Sequence, residues 1–85
     1  MGLVVHPKTI IGNNVTLHHN TTIGCKYEGG QAPVIKDGVF IGANSVILGN
    51  ITLGEKCVIG AGSVVTKNVP PQTIVVGNPA IIIKR

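Results

Sequence analysis

The chain has 85 residues, 44% of them hydrophobic but only 2% aromatic (Tyr27 and Phe40). Its interior must therefore be assembled from Ile, Val, Leu and Ala in many thin layers, with help from partner subunits. Seven Lys or Arg against three Asp or Glu give a formal charge of +4, yet the lysines stand apart and stacking aromatics are nearly absent, which argues against a nucleic-acid platform. No apolar run reaches membrane-spanning length, MGLVVHPK lacks a basic-then-apolar leader pattern, and Cys25 and Cys57 fit no metal or disulfide spacing. A reduced, cytoplasmic setting without a membrane partner is expected.

In chain order, the first 23 residues set a beat. Val5, Ile11, Leu17 and Ile23 fall six apart, and after a gap the same spacing resumes at Ile35, Ile41, Ile47, Leu53, Ile59 and Val65. Four positions after a beat stands a small or branched residue, as at Thr21, Val39, Ser45, Cys57 and Ser63, and Gly often follows the aliphatic directly, as at Gly12, Gly42, Gly54 and Gly60. Such a beat suits neither a helix of 3.6 residues per turn nor a long strand of period two, since either would rotate the aliphatic residues out of a core. Strands of two or three residues joined by tight corners do fit, with Asn13, Asn14, Asn20, Asn44, Asn50 and the glycines tolerating the positive φ that corners often require. Three hexads, or eighteen residues, then close one triangular coil, and the coils must stack to bury their aliphatic residues.

The histidines His6, His18 and His19 fall within this first stretch. His6 and His18 are twelve residues apart rather than eighteen, so they share no column, and His18 and His19 point apart; a three-histidine zinc site is not expected. His19 follows Leu17 by two and takes a corner beside Asn20-Thr21-Thr22, on a different face from the column described next. Residues 24–34, GCKYEGGQAPV, miss the beat at Gly29 and read as an excursion from the coil, either a surface insertion or a functional loop on a rigid scaffold. At eighteen residues per coil, Cys25, Ala43 and Ala61 fall in one column. All three are small, which serves either to shape the corner or to leave a groove where backbone N–H and C=O groups meet an extended ligand.

From Val65 the run Val65-Thr66-Lys67-Asn68-Val69-Pro70-Pro71 leaves the repeat, its prolines forbidding further strand pairing. Lys67 is there either a solvated lysine or a mobile point charge for a phosphate. Residues 1–69 are thus expected to form the repeat domain. Residues 70–85 are expected to add a turn at Gly77-Asn78-Pro79 and a final strand packed along the prism or against a neighbour.

The imperfect hexads, the segment GVFIGANSVILGNITLGEKCVIGAGSVVTKNVPP and the later VVGNPA resemble the hexapeptide-repeat acyltransferases, most closely the C-terminal part of the serine acetyltransferases. The resemblance covers nearly the whole chain. It implies an all-β chain wound as a single-stranded left-handed parallel β-helix of about four triangular coils, with one excursion loop at 24–34, assembled as a homotrimer. It implies transfer of an acetyl group from acetyl-coenzyme A to the hydroxyl of a small molecule, with no metal. In similar enzymes the positions matching Cys25, Lys26, Ala43 and Ala61 line coenzyme A, and Thr66 and Lys67 are candidate contacts to the same co-substrate. Two stretches depart from the serine acetyltransferase pattern: GGTG is GCKY here, and GGDRHP is GGQAPV, a form closer to relatives that acetylate other hydroxyls, including sugars.

Acetyl transfer to a hydroxyl needs a general base, usually His because its ordinary pKa lies near neutral. In serine acetyltransferases that base is a His directly after an Asp, shortly before a segment matching Gly2-Leu3-Val4-Val5; carried over, it falls about two positions before Met1. The chain is expected to lack that base, which leaves His19 as the candidate within it. The expected function is an O-acetyltransferase with its family base outside these residues; the alternatives are a trimeric scaffold without turnover or a sugar O-acetyltransferase relative.

Overall fold

The computed structural model describes residues 4–5, 8–24 and 32–84, and every regular element among them is a strand. In chain order these are β1 (Val4–Val5), β2 (Ile10–Ile11), β3 (Thr16–Leu17), β4 (Thr22–Gly24), β5 (Val34–Ile35) and β6 (Phe40–Ile41). They continue as β7 (Val46–Leu48), β8 (Thr52–Leu53), β9 (Val58–Ile59), β10 (Val64–Val65), β11 (Ile74–Gly77) and β12 (Ala80–Lys84). β1-β4-β7-β10 form one parallel sheet, β2-β5-β8 a second and β3-β6-β9-β11 a third, to which β12 adds antiparallel through β11. The chain visits the three sheets in rotation, so each is one face of a triangular prism measuring 32 × 22 × 22 Å. The architecture is a parallel β-helix of about four coils, as the six-residue beat led us to expect, and it winds left-handed, as the family resemblance implied.

Its core is the beat itself. Ile23, Ile35, Ile41, Ile47, Leu53 and Ile59 are all at most 1% exposed, each worth roughly 1.5–3 kcal/mol of burial. Backbone rungs tie the layers together, as where the N–H groups of Val34, Phe40 and Val46 donate to the carbonyls of Ile51, Cys57 and Ser63 at 2.9, 3.0 and 2.8 Å. Gly follows the aliphatic residue because the next coil passes directly over it: a methyl group on Gly42 would lie 2.6 Å from the Ala61 nitrogen.

Two of the corners run as columns of left-handed residues, one of Asn14, Gly38, Lys56 and Gln72 and one of Asn20, Asn44 and Gly62, with φ between 56° and 73°. The Asn and Gly members suit that geometry, while Lys56 and Gln72 adopt it at a steric cost of about 1–2 kcal/mol each because the stacked coils leave no other path.

Spacing along the columns is not uniform. Ile41 stands beside Ile59 and Ile47 beside Val65, eighteen residues apart, but Ile23 stands beside Ile47 and Leu17 beside Ile41, which are 24 apart. β4 lies on the first face and β5 on the second, so the stretch between them adds six residues to the count from one layer to the next without adding a face. In the last coil the spacing shrinks to sixteen, with Val69 bridged to Leu53 and Val75 paired with Ile59.

Candidate functional site

The register changes which residues share a corner. Because Leu17, Ile41 and Ile59 are in line on the third face, the residues two places beyond them, His19, Ala43 and Ala61, form one column along the edge between the third and first faces. Hydrogen bonds confirm the stacking: the Asn44 N–H donates to the His19 carbonyl at 3.1 Å and the Gly62 N–H to the Ala43 carbonyl at 2.9 Å. This corrects the expected Cys25–Ala43–Ala61 column. Cys25 lies outside the described residues, but its neighbour Gly24 stands beside Leu48 on the first face, so the column reaching Ala43 and Ala61 continues to His19 instead. His19, expected on another face, shares their edge. The signal was present in the sequence, since treating the excursion as a pure insertion gives 24 residues between Ile23 and Ile47.

Along this edge the backbone is open. No acceptor among the described residues meets the N–H of His19, Ala43 or Ala61, and the side chains of Ala43 and Ala61 add no bulk. The neighbouring edge, made by Asn13, Asp37, Glu55 and Pro71, also leaves the Asp37 and Glu55 N–H groups without an acceptor among the described residues, but it differs in charge and in its end members. There the Asn13 N–H is taken by the Asp37 carboxylate at 2.7 Å, Asp37 and Glu55 present negative charge, and Pro71 has no N–H to offer. A ligand that accepts hydrogen bonds or carries phosphates is favoured on the first edge and repelled on the second.

The remaining candidates separate. Thr66 and Lys67 lie on the third edge, where with Val65, Val75, Ala80 and Ile82 they line a cavity of about 250 Å³ beneath the last coil. Lys26 and His6 fall outside the described residues. His18 is exposed, its ring 4.9 Å from that of Phe40. A larger hollow of about 490 Å³, bordered by Lys36, Thr52, Glu55, Asn68 and Pro70, opens on the second face and includes none of the candidates. The Cys57 thiol is packed in the core with its pKa pushed up by burial to about 11, so it is no nucleophile near neutral pH. Among the described residues no cluster of His, Cys, Asp and Glu could hold a metal ion, and no helix is long and apolar enough to cross a membrane.

Residues 32–67 match the family model for the bacterial transferase hexapeptide (six repeats). The chain is 53% identical over 80 residues to the mitochondrial serine acetyltransferase 3 of Arabidopsis thaliana, an alignment covering 92% of this chain. Its repeats are similar to those of the serine acetyltransferases. This hexapeptide β-helix superposes on the serine acetyltransferase of Brucella abortus, solved in complex with coenzyme A, with a TM-score of 0.94 at 43% identity over 99% of its length. It superposes on soybean serine acetyltransferase, solved in complex with serine, with a TM-score of 0.93 at 51% identity over 96% of its length. The hexapeptide β-helix spans 20% of the Arabidopsis protein, 34% of the Brucella chain and 35% of the soybean chain.

Proposed function

We propose that this β-helix is the coenzyme-A-binding part of an acetyl-coenzyme-A-dependent O-acetyltransferase whose acceptor is the hydroxyl of a small molecule, serine or a sugar. The observation that carries the reading is the edge of His19, Ala43 and Ala61, where the backbone donors meet no acceptor among the described residues and Ala43 and Ala61 add no bulk. Its shape and donors suit coenzyme A. The pantetheine arm is a narrow thread with amide carbonyls, and donors on successive coils about 4.8 Å apart suit such a thread. Structural likeness to an enzyme solved with coenzyme A supports the same assignment.

Acetyl-coenzyme A supplies an activated thioester. The chain's own contribution is to hold the thread along the edge through the Ala43 and Ala61 amides and to accept the proton of the attacking hydroxyl. His19 is the exposed imidazole on that same edge, so among the described residues it is the group placed to take that proton.

The assembly we favour is a homotrimer. An edge of a single prism is convex, so a groove along it requires a second wall, and a neighbouring prism supplies one. Ile10 and Phe40, 62% and 38% exposed on the second and third faces, support such packing. The reading places the protein in the cytoplasm.

The test is calorimetric titration with coenzyme A, comparing the wild type with Ala61→Phe, followed by thiol-release turnover assays using serine and a galactoside as acceptors. Binding that is lost when a ring fills the edge supports the reading, and affinity unchanged in Ala61→Phe sinks it. Turnover reduced about a hundredfold or more in His19→Ala, with coenzyme A affinity retained, supports His19 as the base.

A further inference from the structure

The edge assigned to coenzyme A has an inner side that the function has not used. Behind His19, Ala43 and Ala61 runs a column of hydroxyls, Thr21, Ser45 and Ser63, each 0% exposed. The Thr21 hydroxyl donates to the His18 carbonyl at 2.8 Å, with the Gly42 carbonyl at 3.4 Å. The Ser45 and Ser63 hydroxyls both donate to the Gly60 carbonyl, at 3.0 and 2.6 Å, and the Ser63 oxygen accepts from the Gly77 N–H at 3.2 Å.

Those carbonyls are not arbitrary. The carbonyls of His18, Gly42 and Gly60 belong to the same peptide units as the N–H groups of His19, Ala43 and Ala61. In a planar trans peptide the two groups point in opposite directions. A carbonyl held inward by a buried hydroxyl therefore sends its N–H outward, and a hydrogen bond at the carbonyl polarises the peptide and strengthens that donor. From this we infer that Thr21, Ser45 and Ser63 are positioning residues that aim and strengthen the three outward amides of the ligand edge. The inference rests on the reading of that edge as the coenzyme A site.

Packing alone does not call for hydroxyls at these positions. The equivalent places on the neighbouring edge are held by Val15, Val39 and Cys57, and only the last coil has a hydroxyl there, Thr73, bonded to the Pro71 carbonyl at 3.1 Å. On the third edge Ile51 and Val69 take the place, and the Thr9 hydroxyl is buried without a partner. A hydroxyl column continuous through three coils and bonded to the edge carbonyls is confined to the edge of His19, Ala43 and Ala61; the Asp37 and Glu55 amides of the neighbouring edge also meet no acceptor among the described residues but have no such hydroxyls behind them. Ala61, whose peptide carbonyl receives two hydroxyls, is the most firmly held.

The test uses isosteric pairs in the full chain, Ser45→Val with Ser63→Val against Ser45→Thr with Ser63→Thr, so that the two doubles differ in hydroxyls and hardly in shape. Val15 and Val39 already occupy the corresponding places on the next edge, which makes the Val double a foldable variant, and Thr21 does the same for the Thr double. Two quantities are read, the proton and nitrogen shifts of the Ala61 amide and the dissociation constant for coenzyme A. The expected result is a displaced Ala61 amide and an affinity lowered about tenfold in the Val double, with Asp37 and Glu55 amides unmoved and both properties restored in the Thr double. An Ala61 amide that stays in place in the Val double overturns the inference, as does a loss of affinity equal in the two doubles, or a displaced amide with unchanged affinity. Should the wild type bind no coenzyme A, the reading of the edge fails, and with it the functional half of this inference, while the amide shift still decides whether the hydroxyls orient the peptide.

Discussion

The first coil and the third are written in the same hexads, but only the third has a described layer on both sides. Val5 and Ile11 are 36% and 40% exposed, whereas Ile47, Leu53 and Ile59 are at 0%. Among the described residues, the buried side-chain polar atoms left without a partner, Thr9 Oγ1 and Asn20 Oδ1, both belong to the first coil. At the other end Val65, Val69 and Val75 are only 2–5% exposed, with Ala80 packed against the core there. The lesson is that in a stacked coil a residue's energetic weight comes from the layers above and below it rather than from its identity.

Three measurements break or sharpen that comparison. The largest effect is expected at Leu53→Ala in the middle of the stack, where neighbouring layers cannot collapse into the void; a loss of about 3–5 kcal/mol by urea denaturation is expected. A cost below about 1 kcal/mol would show that the layers relax and that the comparison is false.

An intermediate effect concerns Cys57, in the same protected layer. Burial raises its thiol pKa from 9.0 to about 11. Below pH 9 the thiol is neutral in both folded and unfolded chains, and its contribution to stability is fully present. Above pH 9 the unfolded chain ionises first, so stability is lost progressively until the folded thiol also ionises near pH 11, amounting to about 2–3 kcal/mol. Urea midpoints at pH 8 and 10.5 should fall further for the wild type than for Cys57→Val, and equal falls would contradict the burial.

The smallest effect is expected for Ile11→Ala in the open first coil, about 1 kcal/mol or less by the same denaturation. A cost matching that of Leu53→Ala would mean that Ile11 is covered in solution and that the two coils are equivalent.

Much of this was legible beforehand. The inward set from Ile23 to Ile59, the left-handed corners at Asn14, Asn20 and Asn44, and the Gly positions under passing coils all follow from local chemistry, because each hexad must place one aliphatic residue inward and turn within two residues. Lys56 and Gln72 were not legible as left-handed, since neither side chain favours that conformation and only the stacked neighbours impose it. The column of buried hydroxyls was visible as Thr21, Ser45 and Ser63 at one hexad position, but nothing local said which carbonyls they would meet.

By itself the sequence determined that the chain coils, that six residues make a side, and that an excursion interrupts the beat between Ile23 and Ile35, because these depend on the spacing of apolar residues and on turn chemistry; that Gly24 and Val34 belong to the strands on either side came from the structure. Only the tertiary structure decided which corners align. The hexads of the three faces are nearly interchangeable, so a coil may be counted as eighteen or 24 residues without any local conflict. The parallel strand pairing that sets Ile23 beside Ile47 and Leu17 beside Ile41 settles the count, and that register brings His19 onto the edge of Ala43 and Ala61.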